Sequence, residues 1–429
     1  MNSAQDMQST VISRLTWRLM PFLLLLYIVA YLDRINVGFA ALQMRGELKF
    51  SDNVYGLGAG MFFAGYFLFQ VPSNLVLQRV GARRWMCILM MVWGVISSSM
   101  ILVSNAREFY LLRFLLGAAE AGFFPGMILY FKSWFPEAGR ARTVGLFMTA
   151  GPISGFIGGP ISGVLLNLHH LGGLSGWQWL FLLEGLPAVL LGAVVYFVLV
   201  DKPDEAKWLT PEQKSWLSEE LEREKRVHVA ETRASIWDVL ASPGIWLCAF
   251  VYFGLNTCTY GISLWLPTLI KSISSGGNLL VGFVSAIPYL LAAVTMVLVG
   301  LHSDRSAERR WHVAIPAFVG GAALLMAAFS TSLVMTMVAI SLAFLSANSM
   351  TGPFWAIPTS FLQGTAAAAG IAFINSIGNL GGFFGPTEIG YLRNLTGSFR
   401  GGFLVAGGTL ALCGFLILLV RIQNARRFS

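Results

Sequence analysis

The sequence predicts an all-α integral membrane protein of twelve transmembrane helices arranged as two six-helix halves. Three observations predict it. The 429 residues are 56% hydrophobic and only 12% charged, with a mean hydropathy of +0.68, whereas soluble domains carry roughly 25% charged residues. Apolar stretches recur at the length of about 20 residues that a hydrocarbon layer of about 30 Å requires. The chain also repeats at a constant shift of 226 residues: Arg79, Arg83, Arg84 and Trp85 are matched by Arg305, Arg309, Arg310 and Trp311, and Gly155, Gly159 and Pro160 by Gly381, Gly385 and Pro386.

Sparse charge cannot clothe a water-facing surface of this size, so a soluble enzyme, a disordered chain and a nucleic-acid binder are excluded despite the net charge of +8. The polar arm ending at Arg14 and Arg18 leads into a stretch long enough to span, so no cleavable signal peptide is expected. The spans are expected near 19–40, 55–77, 85–104, 110–131, 143–166 and 178–200, then 244–270, 279–301, 312–331, 333–358, 366–392 and 401–421. The organisation is therefore a first half (1–200), a linker (201–243) and a second half (244–429). In the linker, Thr210-Pro211-Glu212-Gln213 reads as a helix start with a capping box, and Trp216, Leu217 and Leu221 fall on one face of the helix that follows.

Lysine and arginine give the orientation, because short cytoplasmic loops are enriched in them. With a cytoplasmic N-terminus, that side receives Arg14, Arg18, Arg79, Arg83, Arg84, Lys132, Arg140, Arg142, Arg305, Arg309, Arg310, Arg421, Arg426 and Arg427, and the other side only Arg45, Lys49, Arg107, Lys271, Arg393 and Arg400. The turn near Gln363 carries no charge. Both termini are expected inside. The four cysteines are far apart and the five histidines lack chelating spacing, so no metal is expected. No G-x-x-x-x-G-K-[ST] loop is present, so neither ATP hydrolysis nor a cofactor is expected, and the chain reads as no enzyme. A parallel six-plus-six repeat suits a transporter whose halves rock about a midplane site.

The turn Gln78-Arg79-Val80-Gly81-Ala82-Arg83-Arg84 and its echo from Gly300 through Asp304 and Arg305 to Arg310 resemble the cytoplasmic gating motif of the major facilitator superfamily. The first copy has Gln78 where the second has the acid Asp304. Narrower features resemble the anion:cation symporter family of tartrate, phthalate, hydroxyphenylacetate and sugar-acid carriers. They are Tyr31-Leu32-Asp33-Arg34-Ile35-Asn36-Val37-Gly38, Val71-Pro72-Ser73-Asn74, Arg113 through Glu120, and Gly352-Pro353-Phe354-Trp355 with Ala369 through Ser376. The resemblance implies the major facilitator fold, a bacterial inner membrane, alternating access gated by Arg79, Arg83, Arg84, Asp304, Arg305, Arg309 and Arg310, and a monomer.

Once loop charges are assigned, Asp33, Arg34, Arg113 and Glu120 remain at membrane depth. A charge at the bilayer centre costs at least about 2.5–3.5 kcal/mol, so such residues face a cavity and pair. Arg113 and Glu120, seven apart, share a helix face about 10 Å apart along the axis. The arginines suit a substrate carboxylate, which their planar fork grips bidentately. An acid whose arginine turns to that substrate must take up a proton rather than stay charged in the membrane. Asp33 and Glu120 are thus the expected proton-coupling residues, and the family's sugar-acid carriers use the matching residues in the same way. Tyr31, Tyr66, Gln70, Tyr260, Asn348, Trp355, Asn375 and Asn379 are expected to line the cavity, Glu184 to serve a helix end, and Glu388 is a further candidate titrating group. The glycines of 151–160 suit either helix packing or an antiporter motif. The expected function is proton-coupled import of an organic carboxylate. An organic anion exchanger is the alternative, and a non-transporting receptor of the same fold a further one.

Overall fold

Inside a bilayer no water serves the peptide groups, so each apolar stretch satisfies its own backbone as a helix. The computed structural model describes the backbone of residues 2–230, 241–361 and 364–420. The first half comprises α1 (Asn2–Glu47), α2 (Asp52–Val80), α3 (Ala82–Leu102), α4 (Ala106–Trp134), α5 (Glu137–Leu168) and α6 (Gly176–Val198). The linker forms α7 (Pro211–Ala230). The second half comprises α8 (Pro243–Ile273), α9 (Asn278–Ser306), α10 (Trp311–Phe329), α11 (Leu333–Ser360), α12 (Gly364–Thr396) and α13 (Arg400–Leu419). Eleven of these helices are long and apolar enough to cross a membrane; α12 is the twelfth long helix of the bundle, 33 residues in length. Residues 231–240, Gln363, Arg421, Arg426 and Arg427 lie outside the described residues.

The repeat is visible helix by helix. At the 226-residue shift, α2 and α9 coincide at both ends, each with 29 residues. One boundary differs markedly from the expected spans: α1 begins at Asn2 rather than near 19. Val11, Leu15 and Leu19, four apart, are buried, and the arm continues as an amphipathic helix. The capping box forms as expected: the Gln213 amide N–H donates to Thr210 Oγ1 at 3.3 Å, and the Thr210 amide N–H donates to Gln213 Oε1 at 3.2 Å. Arg14 also donates to Gln213 Oε1, and Arg140 pairs with Glu224, so α7 rests on the first half.

Between the halves α2 packs on α12 and α5 on α9, two crossings related by the repeat, and α1 meets α8. Gly159 and Gly282 face each other there: a Cβ on either would stand about 2.5 or 2.4 Å from the other's carbonyl oxygen. Only a bare backbone lets α5 and α9 approach so closely, which assigns these glycines to packing. The close crossings gather at one end of the bundle. At that end Asp52 (α2) pairs with both Arg45 (α1) and Arg393 (α12), and Tyr55 donates to the Leu264 carbonyl at 2.6 Å. At the other end, where the repeated basic turns at Arg79–Arg84 and Arg305–Arg310 lie, no ion pair or hydrogen bond joins the halves among the described residues.

Candidate functional site

The two neighbours Asp33 and Arg34 project about 100° apart on α1, and the structure sends them to different places. Arg34 points between the halves. Its guanidinium donates to Glu120 Oε2 (α4) at 3.1 Å and to the Tyr260 hydroxyl (α8) at 3.2 Å. The rings of Tyr31, Phe62 and Tyr66 surround it at 5.5, 5.1 and 5.2 Å from their centroids, a setting that suits a desolvated cation. Glu120 is fully buried at the point where α4 is interrupted at Ala121–Gly122, and its Oε1 has no hydrogen-bond partner. Arg113 is also fully buried. Its guanidinium also lies over the Phe62 ring, 5.0 Å from the centroid, with one long hydrogen bond of 3.4 Å to the Ala59 carbonyl, and its Nε and Nη1 are unpartnered.

Asp33 instead sits inside the first half, accepting from Ser97 (α3) at 2.7 Å and from Asn36 at 3.5 Å. It makes no ion pair with Arg34. Glu184 corrects an expectation: it lies well inside α6 rather than at a helix end, and it is buried, accepting from Ser162 at 2.8 Å. Glu184 thus adds an ionisable side chain bonded within the first half, as Asp33 is.

Beside the Arg34–Tyr260 contact lies a cavity of about 70 Å³, lined by Tyr27, Tyr31, Tyr252, Asn256, Thr259 and Asn348 among others. The Asn256 Nδ2 and Thr259 Oγ1 groups are buried without partners, so a ligand entering here meets unsatisfied polar groups. Of the lining expected from sequence, Tyr31, Tyr260 and Asn348 line this cavity and Tyr66 reaches Arg34. Trp355 stands behind, edge-on to Tyr252 at 4.9 Å. Gln70, Asn375 and Asn379 are buried outside that lining, and the Asn379 amide is spent on the Asn375 carbonyl at 2.9 Å. Sequence reasoning missed Tyr27, Tyr252, Asn256 and Thr259. The last three, with Tyr260, form a stripe at spacings of 4, 3 and 1 on one face of α8, a periodic signal that was present in an apolar helix.

In the first of the two repeated basic turns, the acid lacking at Gln78 comes from elsewhere: Asp201 accepts from the Arg83 amide at 2.9 Å. The Arg83 side chain lies over the Tyr196 ring at 4.4 Å, and Arg309 pairs with Asp304 at 2.6 Å. Arg79, Arg84 and Arg305 are exposed, and Arg310 reaches the Val420 carbonyl at 3.4 Å. Glu308 heads α10. Partial burial favours its protonated form, but hydrogen bonds from the Trp311 amide and with His312 prevail and hold it below the ordinary glutamate range.

Comparison with known proteins agrees with this architecture. A provisionally named tartrate transporter of Agrobacterium vitis is 47% identical over 97% of this chain and 92% of its own length. A quinolone resistance transporter of Acinetobacter baumannii is 42% identical over 92% of each chain. The structure of a D-xylose-proton symporter superposes with a TM-score of 0.75 at 13% identity, covering 94% of this chain and 97% of that one, which speaks for the fold. Residues 23–386 match the model of the Major Facilitator Superfamily. With twelve long helices, a repeat that runs helix by helix and relatives matched over nearly their whole length, this chain belongs to the major facilitator superfamily, a family of membrane transporters rather than enzymes.

Proposed function

We propose that the protein is a proton-coupled symporter that imports a small organic carboxylate across a bacterial inner membrane, with both termini cytoplasmic. The first half (1–200) and the second (244–429) rock as units joined by the linker (201–243), and one chain is the working unit. The observation that carries this reading is the buried Arg34–Glu120 pair, held at the junction of the halves with Tyr260 of the opposite half on the same guanidinium.

A carboxylate entering the cavity competes with Glu120 for the Arg34 fork. Once displaced, Glu120 has only Arg113 among the buried cations to turn to, and a carboxylate left unpaired in the membrane takes up a proton instead. Substrate and proton therefore bind together and leave together. Arg113, with two unpartnered donors, offers the substrate a second contact. Asp33, bonded to Ser97 away from the cavity, is a second proton site that acts through the packing of α1 against α3. The gating turns, unjoined at their end of the bundle, close against each other when the opposite end opens. The relatives support an organic anion as cargo: tartrate is a carboxylate, and quinolones carry a carboxyl group.

Proteoliposomes with an imposed pH gradient and labelled tartrate, a sugar acid, an aromatic acid and a quinolone test the reading. Gradient-driven accumulation of one of them is expected, and Glu120→Gln should abolish accumulation while retaining exchange. Uptake that needs an anion on the other side and ignores the gradient would show an exchanger; binding without flux would show a receptor.

A further inference from the structure

A second cavity, of about 390 Å³, lies at the fastened end of the bundle, lined by Arg45, Phe50, Thr268, Lys271 and Arg393 among others. Three cations line it and no acid does; Asp52, beside it, is shared between Arg45 and Arg393. Polar capacity is left over: Arg45 Nε and Thr268 Oγ1 are buried without partners, and Lys271 spends its ammonium on the Gly276 carbonyl at 2.8 Å.

The internal repeat explains the surplus. Arg45 and Lys271 are equivalent positions at the 226-residue shift, and so are Asp52 and Asn278, and Asn167 and Arg393. On the α2–α12 side the contact is the ion pair of Asp52 with Arg393. On the α9–α5 side its counterpart is a neutral contact of 3.5 Å between Asn278 and Asn167. Lys271 therefore lacks the acid that Arg45 has, and its charge is left for the cavity.

We propose that this cavity is an antechamber for the anion: a second carboxylate site on the outer face, whose occupant competes with Asp52 for Arg45 and Arg393. The proposal rests on the transport function and orientation proposed above. A carboxylate held by Lys271 and the two arginines takes over the charges that Asp52 now satisfies across the halves. Anion arrival thus weakens the fastening that must part before the central site can open outward. A phosphate or an anionic lipid headgroup presents similar chemistry.

Trp265 is the local reporter, since the guanidinium groups of Arg45 and Arg393 lie 5.5 and 5.6 Å from its ring. The measurement is tartrate titration of Trp265 fluorescence, taken as the difference from a Trp265→Phe protein, in phosphatidylcholine nanodiscs. The Arg34→Gln/Glu120→Gln protein removes the central pair without leaving one partner alone. A saturable response that survives in this double variant, weakens at least fivefold on adding Lys271→Gln and returns with Lys271→Arg is expected. A response abolished in the double variant, or unchanged by Lys271→Gln, overturns the proposal. So does a response to phosphatidylglycerol in the disc, or to inorganic phosphate, with none to tartrate. Glu120-dependent uptake and the Lys271-dependent fluorescence response are separate readouts, so the transport reading and the antechamber can fail independently.

Discussion

The two halves share a backbone plan and divide the chemistry unequally. At the 226-residue shift, Arg34 falls on Tyr260, Asp33 on Thr259, Arg113 on Ala339 and Glu120 on Ser346. The first half thus holds the buried charges, and the second answers with hydroxyls and small residues. Arg34 and Tyr260, equivalent positions in the two halves, touch each other across the junction at 3.2 Å. The lesson is that a duplicated frame lets one copy carry charge because the other does not. A full set in both would bury four arginines and four carboxylates, doubling the number of ionisable groups that must be desolvated and paired.

The largest way to break this division is to strip the charged half of one partner. Arg34→Gln leaves Glu120 buried without its ion pair, and removing one partner of a buried pair costs about 3–5 kcal/mol. Uptake in vesicles should fall by at least about 100-fold, and adding Glu120→Gln should recover thermal stability without transport. Next comes packing. A Cβ at Gly117 would stand 1.8 Å from the Phe62 carbonyl oxygen, and overpacking costs about 1–3 kcal/mol. Its equivalent in the second half is the buried Ala343, where the methyl is already accommodated. Gly117→Ala should lower the melting temperature by several degrees; Ala343→Gly should cost about 1 kcal/mol. An equal effect of the two would show that the halves pack alike at this point.

Tyr260→Phe sharpens the comparison from the neutral half. It removes one hydrogen bond to a charged group, worth about 1.5 kcal/mol, so the KM for uptake should rise about tenfold with little change in kcat. The smallest effect is expected from making the two junction contacts alike. Asn278→Asp with Asn167→Arg would place an ion pair where the neutral contact now stands. Stability should change by less than about 1 kcal/mol, while external substrate should be taken up more slowly, as measured by initial rates.

Much of this was legible in the sequence for a physical reason: charge in an apolar helix is so costly that its few occurrences identify themselves. Arg34, Arg113 and Glu120 were found that way, and the structure sets both arginines against Phe62 and pairs Glu120 with Arg34. What was not legible depends on which neighbour a side chain meets. The charge list could not tell that Asp33 turns towards Ser97, nor that Glu184 is buried beside Ser162. The neutral part of the cavity was half read. Tyr260 and Asn348 were foreseen, but Asn256 and Thr259 are cheap enough in a membrane helix to pass unnoticed. Asp201, which supplies the acid missing at Gln78, is distant in sequence and reaches Arg83 only through the packing of α6 against α3.

The capping box that starts α7 has a mechanical consequence. Gln213 and Glu224 hold that helix to Arg14 and Arg140, so it is fastened to the first half although it lies outside the spanning helices. A spectroscopic label on its exposed face, at Glu219 for instance, therefore reads the position of the first half without touching any helix that crosses the membrane.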